Sequence, residues 1–320
     1  MNRKLDRIQR EIAELQQRRT SRDSQSDWLD AKDRLRCLKE LLTANAKEME
    51  LRRHSIVASI AALQSFHRGV LVEIMTHDPQ SAVRAADILG EKYTLRDTLE
   101  YIGGGRLSAP ELISHLAPAN GVDDLMLWMG RLFDDEFAIL LSQAVAPLDR
   151  HSTDPNVIKI VTSVPDLLSS LSEAFRLRHI LAHEAAPKLG IDQEDALQLL
   201  QTVETWVDAV DGILWMTAWK EVPLTQVEMN MASMPAIEAS RTKLANALRR
   251  LRGSLEDESR RSLTINHMDW RKTASDFIKI SYGNRNGSMW RAVAGSVWAD
   301  LLGERAAHMT AWADNEQLER

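Results

Sequence analysis

The chain has 320 residues, of which 44% are hydrophobic and 27% are charged, a composition typical of folded globular proteins. Its single cysteine, Cys37, excludes an internal disulfide framework and favours a reducing compartment, so we expect a cytoplasmic location. No run approaches the roughly 18 consecutive apolar residues of a membrane span, and the charged N-terminus lacks an apolar signal core.

The net charge of −6 is distributed unevenly along the chain. Residues 1–54 contain 14 basic and 10 acidic side chains, and residues 221–320 contain 14 and 13. Residues 55–220 contain 12 basic and 23 acidic side chains, which gives this segment a net charge of −11. Affinity for nucleic acid comes largely from cations that contact phosphates. A nucleic acid bound to the middle segment would therefore need a local basic cleft or help from the flanks.

Residues 1–54 are predicted to form an N-terminal arm of two helices. Apolar side chains recur there at helical spacing on both sides of a polar break at residues 20–27. They are Leu5, Ile8, Ile12, Leu15, Leu35, Leu38 and Leu42. Such a stripe on charged helices is typical of an antiparallel hairpin or a short coiled coil. The arm either packs on its own chain or mediates self-association.

Residues 55–220 are predicted to form a second helical unit. We expect its helices near 55–76, 81–90, 123–146, 166–186 and 192–219, because proline, glycine and capping residues punctuate the apolar periodicity there. The run Gly103-Gly104-Gly105 lacks the following Gly-Lys-Ser/Thr of a phosphate-binding loop, so it indicates a turn. Three tryptophans of the last helix follow its apolar spacing and are expected to be core or interface anchors: Trp206, Trp215 and Trp219.

Residues 221–320 are predicted to form a third unit with two helices, near 236–280 and 289–316, separated by a polar segment at 281–288. No alternating run typical of a β-strand occurs anywhere in the sequence. The predicted fold class is therefore all-α, with a helical bundle between the N-terminal arm and a C-terminal helical domain.

The helix near 166–186 contains the run Arg178-His179-Ile180-Leu181-Ala182-His183-Glu184 and is apolar on almost every side. A helix of that kind is buried or lies in an interface. A buried charge without a partner costs several kcal/mol, so the polar residues of this run must meet partners or line a polar cleft.

The residues alone leave three interpretations open. In the first, Arg178 and Glu184 form interface ion pairs and the two histidines are satisfied core groups. In the second, His179 and His183 share a zinc ion, since they are four positions apart on one helix face. A zinc peptidase would need a glutamate where Ile180 stands, and no third ligand is evident.

The third interpretation is metal-independent cleavage of RNA. This chemistry needs a base that works near neutral pH for the ribose 2′-hydroxyl and a cation for the charged phosphorane. His183 and Arg178 are suitable residue types, but they lie about 140° apart around the helix and about 7.5 Å apart along it. Two copies of the helix around a two-fold axis would bring both pairs into one cleft, so the chemistry implies a dimer.

Residues 178–183 resemble the signature of the HEPN superfamily of ribonucleases: an arginine, a polar residue, three further residues and a histidine, late in an all-helical domain. The continuation into Glu184 is also similar to members of that superfamily, and the resemblance covers residues 55–220. It implies that Arg178 and His183 are the catalytic pair, with His179 and Glu184 in supporting roles. It further implies an endoribonuclease that acts on RNA as a homodimer, without a metal or other cofactor, as is common in bacterial toxin and antiphage systems.

The C-terminal segment resembles the secreted bacterial lysozyme-inhibitor domain family. The similar pieces are Met229-Asn230, Trp270, Gly287-Ser288 and Leu301 through Arg305. That family carries disulfide-forming cysteines, whereas Ala232, Ile278 and Val297 or their neighbours stand at the corresponding positions here. The departure fits a cytosolic setting and argues against lysozyme inhibition. We expect residues 221–320 to recognise a protein trigger or partner.

A non-catalytic function is the alternative to the ribonuclease. In that interpretation the protein is a helical interaction module or a regulatory partner in such a system, and the motif is kept as interface structure. A trigger or a neutralising partner would bind through residues 221–320 or 1–54, and no membrane is involved.

Overall fold

The structure is a computed structural model that describes residues 27–89, 108–134, 136–183, 189–283, 285 and 289–318. Within these ranges it contains eleven α-helices and no β-strand, which confirms the all-α fold class. The first half of the predicted N-terminal arm, the triple glycine and Glu184 lie outside the described residues. The chain divides into two compact units, residues 1–220 and 221–320.

The described part of the first unit contains eight α-helices and a short 3₁₀ turn at Pro147–Asp149. In chain order the helices are α1 (Asp27–Ala44), α2 (Met49–His77), α3 (Pro79–Leu89), α4 (Ala109–Leu116), α5 (Val122–Leu132), α6 (Phe137–Gln143), α7 (Val164–His183) and α8 (Gln193–Met216).

Helix α2 is the central helix of the first unit and contacts α1, α3, α4, α5, α7 and α8. Apolar residues occupy almost every side of it, so a surrounding layer of helices is needed to remove them from water. By length and a mean hydropathy of 1.3 the helix could cross a membrane, but 67% of its most apolar window is buried inside the unit. This burial is what the centre of a helical bundle requires.

Helix α1 packs into the same core and is not part of a separate arm. Its residues Leu35 and Leu42 are fully buried, in one cluster with residues of α2 and α8. The periodicity of these leucines predicted the helix correctly. It did not indicate the partner, because an apolar stripe fits a neighbouring helix of any origin.

A polar network reinforces the contact between α1 and α8. Lys32 Nζ binds a carboxylate oxygen of Glu204 at 2.5 Å and one of Asp208 at 2.8 Å. Trp28 Nε1 donates a hydrogen bond to Asp208 at 3.1 Å, and Lys39 binds Glu204 as well. These side chains are partly shielded from water, so the removal of one partner leaves a desolvated charge behind.

The prediction of one continuous helix over 123–146 is wrong, because the structure has two helices there, α5 and α6, separated at residues 133–136. Asp134 adopts a left-handed φ of 52°, a conformation that aspartate tolerates better than most residues. Arg84 of α3 donates hydrogen bonds to the carbonyl oxygens of Arg131 at 3.1 Å and Leu132 at 2.8 Å. A side chain distant in sequence therefore caps the end of α5.

The tryptophan prediction for α8 is confirmed in the core. Trp206 is fully buried, and its ring meets the edge of Phe137 with centroids 5.7 Å apart. Trp215 and Trp219 are half-buried and pack against each other at 5.5 Å. Trp206 therefore fixes α8 against the short helix α6.

The described part of the second unit contains three helices, α9 (Gln226–Ser254), α10 (Asp257–Tyr282) and α11 (Met289–Leu318). The predicted single helix over 236–280 is wrong, since the chain turns at Leu255 and Glu256. Helices α9 and α11 pack along their length, whereas α10 contacts mainly α11. Apolar residues of α9 and α11 form most of the core of this unit.

Helix α9 begins ten residues earlier than predicted, at Gln226 rather than near residue 236. A capping box explains the start: Glu228 N donates to Thr225 Oγ1 at 3.2 Å, and Thr225 N donates to Glu228 Oε2 at 2.8 Å. Pro235 lies inside the helix. An interior proline costs about 3 kcal/mol, and the long contact with α11 offsets this cost.

We predict that Gly212→Ala destabilises the first unit. A Cβ at this position of α8 would collide with the carbonyl oxygen of Val145 and lie 3.2 Å from Ile160. Because Val145 is held by a backbone bridge to Lys159, the collision is not easily relieved. The free energy of unfolding in urea should fall by about 1–3 kcal/mol.

Gly253→Ala in α9 is the control for this prediction. Nothing lies within 4 Å of a Cβ placed at Gly253, so only the helix propensity changes. The second unit should gain up to about 1 kcal/mol. A stability gain in both variants would contradict the close packing at Gly212.

Candidate functional site

Helix α7 carries the Arg178–His183 segment and is anchored to the core along one face. The Ser163 hydroxyl accepts a hydrogen bond from Asp166 N at 3.4 Å, and Pro165 lies in the first turn, so both favour a helix start here. The anchored face packs on α2, α5, α6 and α8. Its buried side chains are Leu167, Leu171, Ala174, Phe175 and Leu177.

The opposite face of α7 is open to solvent in the single chain, so of the two expectations for this helix, burial or a place in an interface, complete burial within one chain does not hold. His179, Ala182 and His183 are exposed, and Ile180 and Leu181 are only half-buried. The neighbouring helices cover one arc of α7, and in its last turn Leu181 still packs against the core while Ala182 and His183 are exposed. Within one chain, the motif therefore lies at the surface end of a core helix.

The two histidines of the motif lie side by side. The ring centroids of His179 and His183 are 5.0 Å apart, with the ring planes inclined by 55°. Because both side chains are exposed, the interpretation of satisfied core histidines is wrong. Both imidazoles are accessible to a substrate or to a second copy of the chain.

Arg178 is half-buried, and no carboxylate in the described part of the chain pairs with it. The nearby Arg176 is exposed and is bound to Glu173 at 2.6 Å. This pair raises the pKa of Arg176 and lowers that of Glu173, mainly through their hydrogen bonds. The two arginines thus differ in environment: the charge of Arg176 is compensated locally, and that of Arg178 is not compensated by any described carboxylate.

The histidine pair has the spacing of two zinc ligands. Zinc in proteins takes at least three protein ligands, and the described residues contain no group of three or more side chains able to hold a metal. A zinc ion on α7 would therefore need ligands from outside the described residues of one chain.

A cavity of about 750 Å³ lies between α1 and α2, and the described residues that line it belong to these two helices. Three aspartates, Asp27, Asp30 and Asp33, line it together with one arginine, Arg34. The exposed end of α7, which carries the motif, is the candidate site.

No protein-family model matches the chain, and neither a curated protein nor a solved structure is significantly similar to it. The resemblance of residues 178–183 to the HEPN signature thus rests on the motif and on its position in an all-helical unit.

The structure also contains a buried carboxyl group with a shifted pKa, Asp211, which was not among the residues predicted from the sequence. Its side chain is buried where α1, α2 and α8 meet. Burial raises the pKa of Asp211 to about 7, and the negative charges of Asp208 and Glu73 act in the same direction against the opposing charge of Lys32. One signal in the sequence could have identified Asp211. It is a carboxylate in the most apolar part of α8, three positions after Asp208.

We predict that Asp211→Asn stabilises the protein more at pH 8 than at pH 5. The folded-state pKa lies above the ordinary value of 3.8, so the folded state binds this proton more tightly than the unfolded state. The free energy of unfolding therefore falls as the pH rises from about 4 to about 7. Asparagine cannot ionise and removes this loss, which amounts to at most about 4 kcal/mol.

Chemical denaturation at the two pH values measures the effect. Asp195→Asn is the matched control, since Asp195 is an exposed carboxylate at the start of the same helix. A gain for Asp211→Asn that is equal at pH 5 and pH 8 would mean that Asp211 is already ionised in the folded protein at the lower pH.

Proposed function

We propose that this protein is a metal-independent endoribonuclease that acts as a homodimer, with Arg178 and His183 as its catalytic pair. The observation that carries the proposal is the arrangement of side chains on the last two turns of α7. There an arginine without a described carboxylate partner and two adjacent, exposed imidazoles project from a helix whose other face is fixed in the core. Preorganised groups of this kind are what a polar reaction requires.

The proposed chemistry is attack by the ribose 2′-oxygen on the adjacent phosphorus. The His183 imidazole removes the 2′-hydroxyl proton as the O2′–P bond forms, and the bond from phosphorus to the 5′-oxygen breaks. The Arg178 guanidinium stabilises the extra negative charge on the phosphoryl oxygens. A second imidazole, from His179 or from the other copy of the motif, gives the leaving oxygen its proton. The products are a 2′,3′-cyclic phosphate and a free 5′-hydroxyl.

A second copy is part of the proposal because one helix cannot aim both groups at one phosphate. Arg178 and His183 lie about 140° apart around α7, and in the single chain the first is half-buried while the second is exposed. The apolar side chains near them, Ile180, Leu181 and Ala182, are incompletely covered. Contact with a second α7 would cover them and join the two pairs in one cleft.

The proposal extends to a bacterial toxin or antiphage setting, with a trigger or neutralising partner bound through residues 221–320 or 1–54. The incompletely covered apolar residues of α7 also favour the alternative, a non-catalytic interaction module. The two differ in what the motif residues contribute, since a catalytic pair affects the reaction rate and an interface pair affects stability.

Substitution of the pair tests the enzyme. His183→Ala and Arg178→Ala should each lower the cleavage of total RNA by at least about 100-fold, the usual loss for one acid–base or charge-stabilising group. The melting temperature should change little, because His183 is exposed and Arg178 has no described ion pair to lose. Arg176→Ala, which breaks only the exposed pair with Glu173, should leave cleavage unchanged.

Cleavage that survives both substitutions would refute the assignment of the catalytic pair. An inactive parent whose stability falls sharply in Arg178→Ala would identify the interaction module. Cleavage by the parent should also persist in excess chelator. Activity that disappears on chelation and returns with zinc would assign His179 and His183 to a metal site.

Mixing the two inactive variants tests whether the active site is shared between copies. We predict that the protein is a dimer by light scattering and that Arg178→Ala and His183→Ala regain activity after joint refolding. A mixed dimer keeps one intact arginine and one intact histidine on different chains. If the site combines them, random exchange should restore about a quarter of the parental rate. A monomeric parent, or no recovery in verified mixed dimers, would contradict a shared site.

A further inference from the structure

Arginines from all three described helices of the second unit meet around His267. Arg252 of α9 donates a hydrogen bond to Thr264 Oγ1 of α10 at 3.2 Å, one turn before His267. Arg271 lies one turn after His267 on the same face of α10. Arg305 comes from α11. Arg252, His267, Arg271 and Arg305 are called the basic cluster below.

Aromatic rings hold the basic cluster in position. The Trp270 ring stacks on His267 with centroids 5.7 Å apart and on Trp298 at 6.3 Å. The Arg305 guanidinium lies 5.5 Å from the centre of the Trp270 ring and donates a hydrogen bond to Asn266 Oδ1. A guanidinium held by a ring and a hydrogen bond has lost most of its rotational freedom before it meets a ligand.

The positive charge of the basic cluster is not neutralised by a described carboxylate. Ion pairs in the described part of the second unit involve other arginines, namely Arg241, Arg250 and Arg260. Burial lowers the pKa of Arg305, and burial together with the charges of the three cluster arginines lowers the pKa of His267. Arg305 Nε and His267 Nδ1 are also buried without a described hydrogen-bond partner.

Like charges held close together without a counter-charge raise the free energy of the folded protein, and a bound anionic ligand would offset this repulsion. The surrounding sequence has the same sign: residues 241–285 contain 11 basic and 5 acidic side chains. Residues 55–220, which carry the candidate site, have a net charge of −11. Residues 241–285 of the second unit therefore offer an RNA substrate an excess of cations, and they are separate in sequence from the acidic segment.

We propose that the basic cluster binds the phosphodiester backbone of RNA. Guanidinium groups pair with phosphate oxygens through parallel N–H donors, and three of them from three helices offer contacts to more than one phosphate. The choice of RNA among polyanions rests on the proposed function. A binding unit tethered to a catalytic unit raises the local concentration of substrate, which offsets the repulsion by the acidic segment.

Binding of a short labelled single-stranded RNA to the full-length protein tests the proposal. The measurement is fluorescence anisotropy over a series of salt concentrations, in a His183→Ala background so that the probe stays intact. Arg252→Gln/Arg271→Gln removes two exposed cations of the basic cluster. The affinity at low salt should fall at least about tenfold, and the slope of log K against log salt should flatten by about 1.4, or about 0.7 per lost phosphate contact.

Lys243→Gln/Lys279→Gln is the matched control, since it removes the same charge from exposed positions of α9 and α10. These lysines lie about 13 Å and about 12 Å along their helices from Arg252 and Arg271. The control pair should keep the parental affinity within about twofold. Arg271→Gln alone breaks no described hydrogen bond, so it should fold normally and show half of the slope change.

The outcomes separate the RNA-binding proposal from the nuclease. No binding by the parent, or equal losses in the cluster and control pairs, would overturn the RNA site. If the protein with intact His183 cleaves RNA but the cluster variants bind RNA as the parent does, the RNA site is refuted and the nuclease assignment stands. Binding that depends on the cluster, without cleavage, would support the RNA site and count against the nuclease alone.

Discussion

Helix α2 is surrounded by six other helices of the first unit, and their positions follow from the need to bury it. An apolar helix of this length is not stable in water when only one of its faces is covered, so neighbouring helices must cover its whole circumference. Helices α1, α7 and α8 each contribute an apolar stripe to that cover. Because each has only one such stripe, each turns its polar side outwards. The position of the motif on α7 follows from this arrangement, as does the charge network between α1 and α8.

The polar groups packed between these helices differ in whether they have partners of opposite charge. The network of Lys32, Glu204 and Asp208 matches donors with acceptors, and it gives the apolar contact between α1 and α8 a specific register. No described side chain forms a comparable ion pair or hydrogen bond with Asp211, and burial raises its pKa to about 7. The same bundle thus contains a satisfied charge cluster and a destabilising carboxyl one turn apart. Such a carboxyl is tolerated because the burial of α2 and its neighbours exceeds the cost.

The two units differ in the distribution of their charged side chains. The first unit has a negative net charge and keeps its motif arginine away from the described carboxylates, while the second gathers arginines from three helices around stacked aromatic rings. In the proposed function these features are complementary, since cleavage needs a few placed groups and affinity needs many cations. A chain that separates the two tasks has no need for a basic surface around the reacting atoms. The separation also allows binding and chemistry to be altered independently.

The sequence by itself determined the all-α class, most helices of the first unit and the residues of the motif, although it joined α5 and α6 into one helix. The bounds of α7 and α8 were predicted within three residues, because apolar periodicity and capping residues act locally. Contacts between distant segments decided the rest. Arg84 ends α5 by binding its last carbonyls, α1 joins the core through α2 and α8, and Pro235 is accepted because α9 packs on α11. Exposure of His183 and the convergence of Arg252, Arg271 and Arg305 likewise depend on which helix lies beside which. Helical periodicity shows that a face exists, and only tertiary packing determines what covers it.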